Sequence, residues 1–421
     1  MKFILGEMYR RICSVANELG DEGVFFEDES QLESERDINI SHDTFDFSSI
    51  AISASDWTTE TIVSQIDKGN ILLSPDFQRR DAWDPSRKSR FIESLILGFP
   101  IPQIVLAESK AKKGSYIVLD GKQRLLSIRQ FFAKLDQAET YKKLALKGLV
   151  LKENLNGKTI EALRGDPGFE NDVASLENQT IRTVVIKNWK DERFLYHVFL
   201  RLNTGSVPLS PQELRQALHP GPFVNFLEKK STDSVPLREI LKIKSADFRM
   251  RDSELLLRYF AFKNFLSAYK GDLKDFLDTT CKFFNDNWSS SESFIEQQYD
   301  DFVSSHDVVK EIFGKNAYRK WTGSQYESRF NRAVFDVMIL AFSELSVRQL
   351  AVGRHSEIEK AYKEVCNESA FLTSVESTTK SIDATVTRLA LWYEKLNGLI
   401  DSELGIPHRE NASIVVKFAN E

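Results

Sequence analysis

Apolar positions fall in two patterns along the chain. Before about residue 235 they form short runs broken by turn residues, mixed with brief helical stripes. After it they recur almost everywhere at helical spacing. Ile62, Val63 and Ile66 predict a short helix that Gly69 stops. Ile71-Leu72-Leu73 reads as a strand. Asp84 followed by Pro85 is a good helix start, with Phe91, Ile92, Leu95 and Ile96 as the apolar stripe and Gly98 as the stop. Pro100 and Pro102 force an extended crossing. Residues 104–107 and 116–119 have the length and composition of buried strands, and the polar turn at 110–115 predicts a hairpin between them. Residues 136–180 are weakly patterned and read as an insertion. Another strand follows at 180–186. Asp191 then caps a helix carrying Phe194, Leu195, Val198, Phe199 and Leu202, which ends at Asn203-Thr204-Gly205. Ser210-Pro211-Gln212-Glu213 is a capping box that opens the next helix. In the second half the clearest helical segments are 252–269, 326–345, 356–365 and 381–400. Their many Phe residues are assigned to packing between helices.

A chain of 421 residues exceeds one ordinary core, so more than one domain is expected. The expected organisation is an acidic extension over 1–54, a mixed α/β domain over 55–235 and an all-helical domain over 236–421, an α+β protein overall. The net charge of −6 excludes a basic nucleic-acid coat. It hides an asymmetry: residues 1–75 hold 5 Lys/Arg against 15 Asp/Glu, net −10, and residues 76–130 hold 11 against 6, net +5. A phosphate or nucleic-acid partner is therefore attracted to the second segment. Three scattered cysteines, Cys13, Cys281 and Cys366, argue against a disulfide framework or a Cys zinc site. The opening apolar run is shorter than a signal-peptide core and no apolar run spans a bilayer, so the expected setting is cytoplasmic with no membrane partner.

The positive segment centres on Asp120-Gly121-Lys122-Gln123-Arg124. The pattern there is strand, sharp turn, helix. First-turn N–H groups lack partners inside a helix and sit at its positive dipole end, which suits an anion. Lys122 and Arg124 add cationic side chains, and Asp120 at the strand end offers a carboxylate for a cation beside a phosphate. The plain alternative is that Asp120 caps the helix and Gly121 only permits the turn. No Walker-type loop, Gly-x-Gly-x-x-Gly loop or Ser-His-Asp set is readable.

Several pieces together carry a resemblance. They are Asp76-Phe77-Gln78-Arg79 with Trp83, residues 90–102, Asp120-Gly121-Lys122-Gln123-Arg124, and Arg201-Leu202-Asn203-Thr204-Gly205 with the run from Leu209 to Arg215. In order and spacing this set, over roughly residues 55–345, resembles the N-terminal domain family of GmrSD-type modification-dependent restriction enzymes. That family has a ParB/sulfiredoxin-like fold and an Asp-Gly-Gln-Gln-Arg signature. The resemblance implies binding, and in some members hydrolysis, of a nucleoside triphosphate with a divalent cation such as Mg²⁺, in bacterial defence against phage or foreign DNA. Carried over by position, Asp120, Gly121, Gln123 and Arg124 are the signature residues, with Asp120 also the metal ligand. Arg79 matches the upstream Arg that faces the same pocket in that family, and Arg201 and Asn203 match the helix-end motif. Gln123 is the candidate for orienting an attacking water; its alternative is a backbone cap. Arg79 has the alternative of surface pairing with nearby acids, and Asn203 that of a helix C-cap.

Two departures stand out. Lys122 replaces the family's usual Gln, which keeps phosphate binding while weakening the case for hydrolysis. The six His residues are scattered without an Asp-His pair, so the His-Asn-His nuclease of the full enzymes is not expected here. The expected function is a nucleotide-binding regulator or sensor for a separately encoded nuclease or effector, with oligomerisation allowed. The alternative is a non-catalytic DNA-binding or scaffold module with a degenerate pocket.

Overall fold

A computed structural model describes residues 49–71, 73, 82–110, 112–133, 142–202, 210–377 and 379–418. The expectations for Arg79, Asn203 and the acidic extension up to residue 48 lie outside the described residues.

The described chain opens with strand β1 (Ala51–Thr58) and helix α1 (Thr59–Asp67), which Thr58 caps by accepting from the Thr61 N–H. Helix α2 (Pro85–Ile96) starts as read: the Asp84 carboxylate accepts from the Arg87 N–H at 2.9 Å and Pro85 occupies the first turn. Strands β2 (Ile104–Glu108) and β3 (Tyr116–Asp120) form the expected antiparallel hairpin. Helix α3 (Lys122–Phe131) follows at once. Helices α4 (Ile160–Arg164) and α5 (Glu170–Asn178) lead to strand β4 (Thr180–Lys187) and helix α6 (Glu192–Leu202).

These strands make one sheet in the order β1-β4-β2-β3. β4 runs parallel to β2, with Leu106 opposite Val185, and antiparallel to β1. The strand expected at 71–73 leaves, among the described residues, a single bridge from Ile71 to Tyr116. The first core lies around this sheet and holds Ile62, Ile92, Leu95, Leu106, Leu125, Ile128, Phe131 and Ile181. Residues read as an insertion belong to it as well: Leu144, Leu146, Leu149, Leu155, Ile160 and Leu163 are buried there. The buried Glu93 carboxylate fastens that segment, accepting from the Leu151 and Lys152 N–H groups at 2.9 and 2.7 Å.

Helix α7 (Pro211–Leu218) carries the capping box read from the sequence. The helical half continues through α8 (Pro222–Asp233), α9 (Val235–Leu241), α10 (Arg251–Phe265), α11 (Leu273–Asp286) and α12 (Trp288–Phe313). It is completed by α13 (Arg332–Phe342), α14 (Leu345–Ala351), α15 (His355–Cys366), α16 (Ser369–Glu376) and α17 (Ile382–Ile400). Its core is built on aromatic side chains, as their abundance implies: Phe223, Phe260, Phe302, Phe335 and Trp392 are fully buried. Edge-to-face and tilted ring pairs such as Tyr259–Phe302 at 5.3 Å hold the helices in register.

Two differences from the sequence reading have physical causes. The helix expected over 326–345 starts only at Arg332. Tyr326 is held before it, edge-on against Trp321 and donating to Glu359, while Asn331 caps the helix through the Val334 N–H. The C-terminal half is also not wholly helical: it closes on a hairpin of β5 (Ile406–Glu410) and β6 (Ser413–Lys417). Strands of five residues with charged outward positions leave little periodic signal, and Ile414 alone of β6 is buried. No helix among the described residues is long and apolar enough to cross a membrane.

Candidate functional site

The site is built where β3 passes into α3. Register between β2 and β3 shifts at Val105–Leu106: Leu106 faces Val118, whereas Val105 faces Asp120. Leu119 is thus the extra residue of a bulge, and such bulges re-aim the side chain that follows. Gly121 then turns the chain at φ +97°, a left-handed conformation that glycine adopts without cost. A Cβ there would stand 3.0 Å from Ile104 Cγ1 and 3.2 Å from Arg124 Nη2, so the backbone packs closely against both.

Helix α3 begins with no side chain capping its first turn. Asp120 therefore is not the N-cap that the plain alternative required. It is half-buried, and its Oδ2 accepts from Arg124 Nη2 at 2.7 Å. The same nitrogen donates to the Gln103 carbonyl at 3.0 Å, while Arg124 Nε is buried without a partner among the described residues. Arg124 is 7% exposed, so its guanidinium lies over the start of its own helix rather than in solvent. Gln123 Oε1 is another buried acceptor without a partner among the described residues.

Lys122 is drawn elsewhere. Its ammonium meets Glu213 Oε1 at 2.5 Å, with both side chains almost fully buried. Glu213 Oε2 accepts from the Ser210 N–H at 2.7 Å, and Ser210 Oγ accepts from the Glu213 N–H at 3.1 Å. Glu213 thus serves the capping box, as read, and also an ion pair that spans 91 residues. No local pattern announces that second role. Gln103, whose carbonyl steadies Arg124, was equally invisible, lying in a loop with no motif.

Of the residues singled out from sequence, Asp120, Gly121, Lys122, Gln123 and Arg124 share one turn, and Asp120 and Arg124 are joined directly. Arg201 lies exposed in the last turn of α6, a helix that packs on β3. Among the described residues no three His, Cys, Asp or Glu side chains gather as a ready-made metal cage.

Helix α7, held to this turn by Glu213, is also tied into the helical half. Arg215 Nε meets Asp278 Oδ1 of α11 at 2.6 Å, and Gln216 donates to Glu228 of α8. Asn285 of α11 accepts from the Phe223 and Val224 N–H groups and donates to the His219 carbonyl.

Residues 59–220 match the family model described as GmrSD restriction endonuclease, N-terminal domain. No curated protein and no solved structure matches the chain. The matched stretch runs from α1 to just beyond α7, and so holds strands β2, β3 and β4 of the sheet, the Asp120–Arg124 turn and the capping box that grips Lys122. Residues 59–220 thus match the GmrSD restriction endonuclease N-terminal domain, and that match points to a component of a restriction-type defence system.

Proposed function

We propose that the β3–α3 turn binds the polyphosphate of a nucleoside triphosphate together with a divalent cation, and that the chain acts as a nucleotide-responsive regulator or sensor for a separate effector. The observation that carries the reading is an uncapped helix N-terminus behind a left-handed glycine, overlaid by a buried arginine whose Nε has no partner among the described residues. First-turn N–H groups and a guanidinium are the donors that phosphate oxygens take. Asp120 is the residue that would hold the cation. When bound, the cation neutralises phosphate charge; a phosphate that engages Arg124 frees Asp120 Oδ2 for it. Gln123 Oε1, a buried acceptor, suits a water that donates to it, the arrangement a hydrolytic step requires.

Equilibrium binding of a Mg²⁺–nucleoside triphosphate tests the reading. Arg124→Ala removes a charged phosphate contact and is expected to cost about 1.5–3 kcal/mol of binding. Asp120→Asn is expected to flatten the dependence on Mg²⁺ while the variant still folds. Equal affinity in wild type and Arg124→Ala contradicts the reading. Phosphate release from wild type but not from Gln123→Ala would extend it to hydrolysis.

A second reading, DNA binding, draws on a different observation. Exposed Lys112, Lys113 and Lys190 crowd the β2–β3 turn, where Lys110 donates to the Lys190 carbonyl and lies over Trp189. Backbone binding at that tip is expected to weaken steeply with salt. Gel shifts that show no complex even at low salt remove it.

A further inference from the structure

We propose that Glu213 is a built-in competitor for the phosphate site, an internal carboxylate that holds the Lys122 ammonium until an anion arrives at the α3 N-terminus. The proposal rests on the reading of the β3–α3 turn as a polyphosphate site and assigns its regulation.

Burying charge is costly. Lys122 and Glu213 are 6% and 7% exposed, and their charged atoms meet at 2.5 Å. A buried pair is held by mutual attraction against desolvation, so removing one partner leaves the other charge in want of a counter-ion. Lys122 is the first residue of α3, in the same turn as Gly121, Gln123 and Arg124. A polyanion that docks on that turn offers Lys122 a second counter-ion of higher charge. Glu213 and the anion then compete for one ammonium, and each weakens the hold of the other.

Release of Glu213 has a consequence at the other end. Its two oxygens divide their tasks, Oε1 to Lys122 and Oε2 to the Ser210 N–H that starts α7. The first turn of α7 is therefore fixed partly by the charge it grips. The next turn of the same helix carries Arg215 and Gln216, which bind Asp278 and Glu228 in the helical half. Occupancy of the site is thus converted into a looser grip at the α7 N-terminus, next to the contacts that hold the helical half.

The test uses inorganic triphosphate with Mg²⁺ as the probe and the full chain. Glu213→Gln keeps the capping function, since glutamine serves at that position of a capping box, and removes the competing charge. It is expected to bind the probe about tenfold tighter than wild type, because the carboxylate that competes with the anion for the Lys122 ammonium is gone. Lys122→Met is expected to bind more weakly. Wild type is followed by amide hydrogen exchange as well, needing no variant: the probe is expected to speed exchange at Ser210 and in the first turn of α7. If wild type binds the probe but Glu213→Gln binds it no more tightly and exchange at Ser210 is unchanged, the competition is overturned and the polyphosphate site stands. If neither protein binds the probe, the polyphosphate site itself falls, and the competition with it.

Discussion

Gly121 makes the residue-scale case. Its φ of +97° is one that L side chains rarely adopt, and an added Cβ would press on Ile104 and Arg124. Gly121→Ala is expected to lose about 1–2 kcal/mol from the backbone conformation alone, with more from the crowding. Denaturant unfolding midpoints measure it, and an unchanged midpoint would mean that the turn relaxes without strain. What was legible in the sequence at this scale was local chemistry. Asp84 with Pro85, Ser210 with Glu213 and the Asp-Gly stop after Leu119 each act within four residues, so spacing alone reveals them. The partnership of Lys122 with Glu213 was not legible, because two chain-distant residues meet only when β3 and α7 are packed together. Asp120 was readable as special, and Arg124 four residues on was within its reach, but residue type did not decide whether Asp120 would cap the helix or pair with Arg124.

At the scale of elements, α7 and α11 are joined by charge rather than by grease. Arg215 is 2% exposed and pairs with Asp278, which Lys274 also contacts at 2.8 Å. Burial by itself would raise the Asp278 carboxyl; Arg215, Lys274 and His219 outweigh it and hold the group at about 2. The folded pKa lies below the ordinary one, so the stabilisation is complete above about pH 4 and is lost as pH falls from there toward 2. Its size is about 2 kcal/mol. Asp278→Asn is expected to lower stability at neutral pH and to unfold with a shallower pH dependence between about pH 4 and 2. Parallel slopes for variant and wild type in that window would refute the assignment. His219 beside it is held below its usual value by burial, against the opposing pull of Asp278 and Glu192. Helices were the more legible elements here. The 3.6-residue stripes read over 252–269, 356–365 and 381–400 fall on α10, α15 and α17, whereas α11 and α12 were not singled out, and short edge elements such as the closing hairpin carry too few buried positions to show a period.

Across the whole molecule, the two large hydrophobic clusters among the described residues stay separate, and Leu126 with Met250 forms a small third one. One surrounds the four-stranded sheet and the other fills the helical half. Leu125 and Phe302 are each fully buried, one in each cluster. Leu125→Ala is expected to cost about 2–5 kcal/mol and Phe302→Ala about 3–5 kcal/mol. With two large cores that do not merge, scanning calorimetry is expected to show each substitution moving mainly one part of the unfolding profile. Identical displacement of a single sharp transition by both would show that the cores unfold as one. The change of hydrophobic pattern near residue 235 signalled two cores but could not place the seam, because α8 and α9 look like any amphipathic helices until their partners are known. Phe223, Leu227 and Leu237 pack in the helical core.

If the first turn of α3 is where polyphosphate is held, amide hydrogen exchange of the wild-type chain with and without a Mg²⁺–nucleoside triphosphate reads it at the residues concerned. Slowed exchange at Gly121, Lys122, Gln123 and Arg124 on nucleotide addition is the predicted result. Nucleotide binding that leaves those four amides unprotected, or no binding at all, would contradict it.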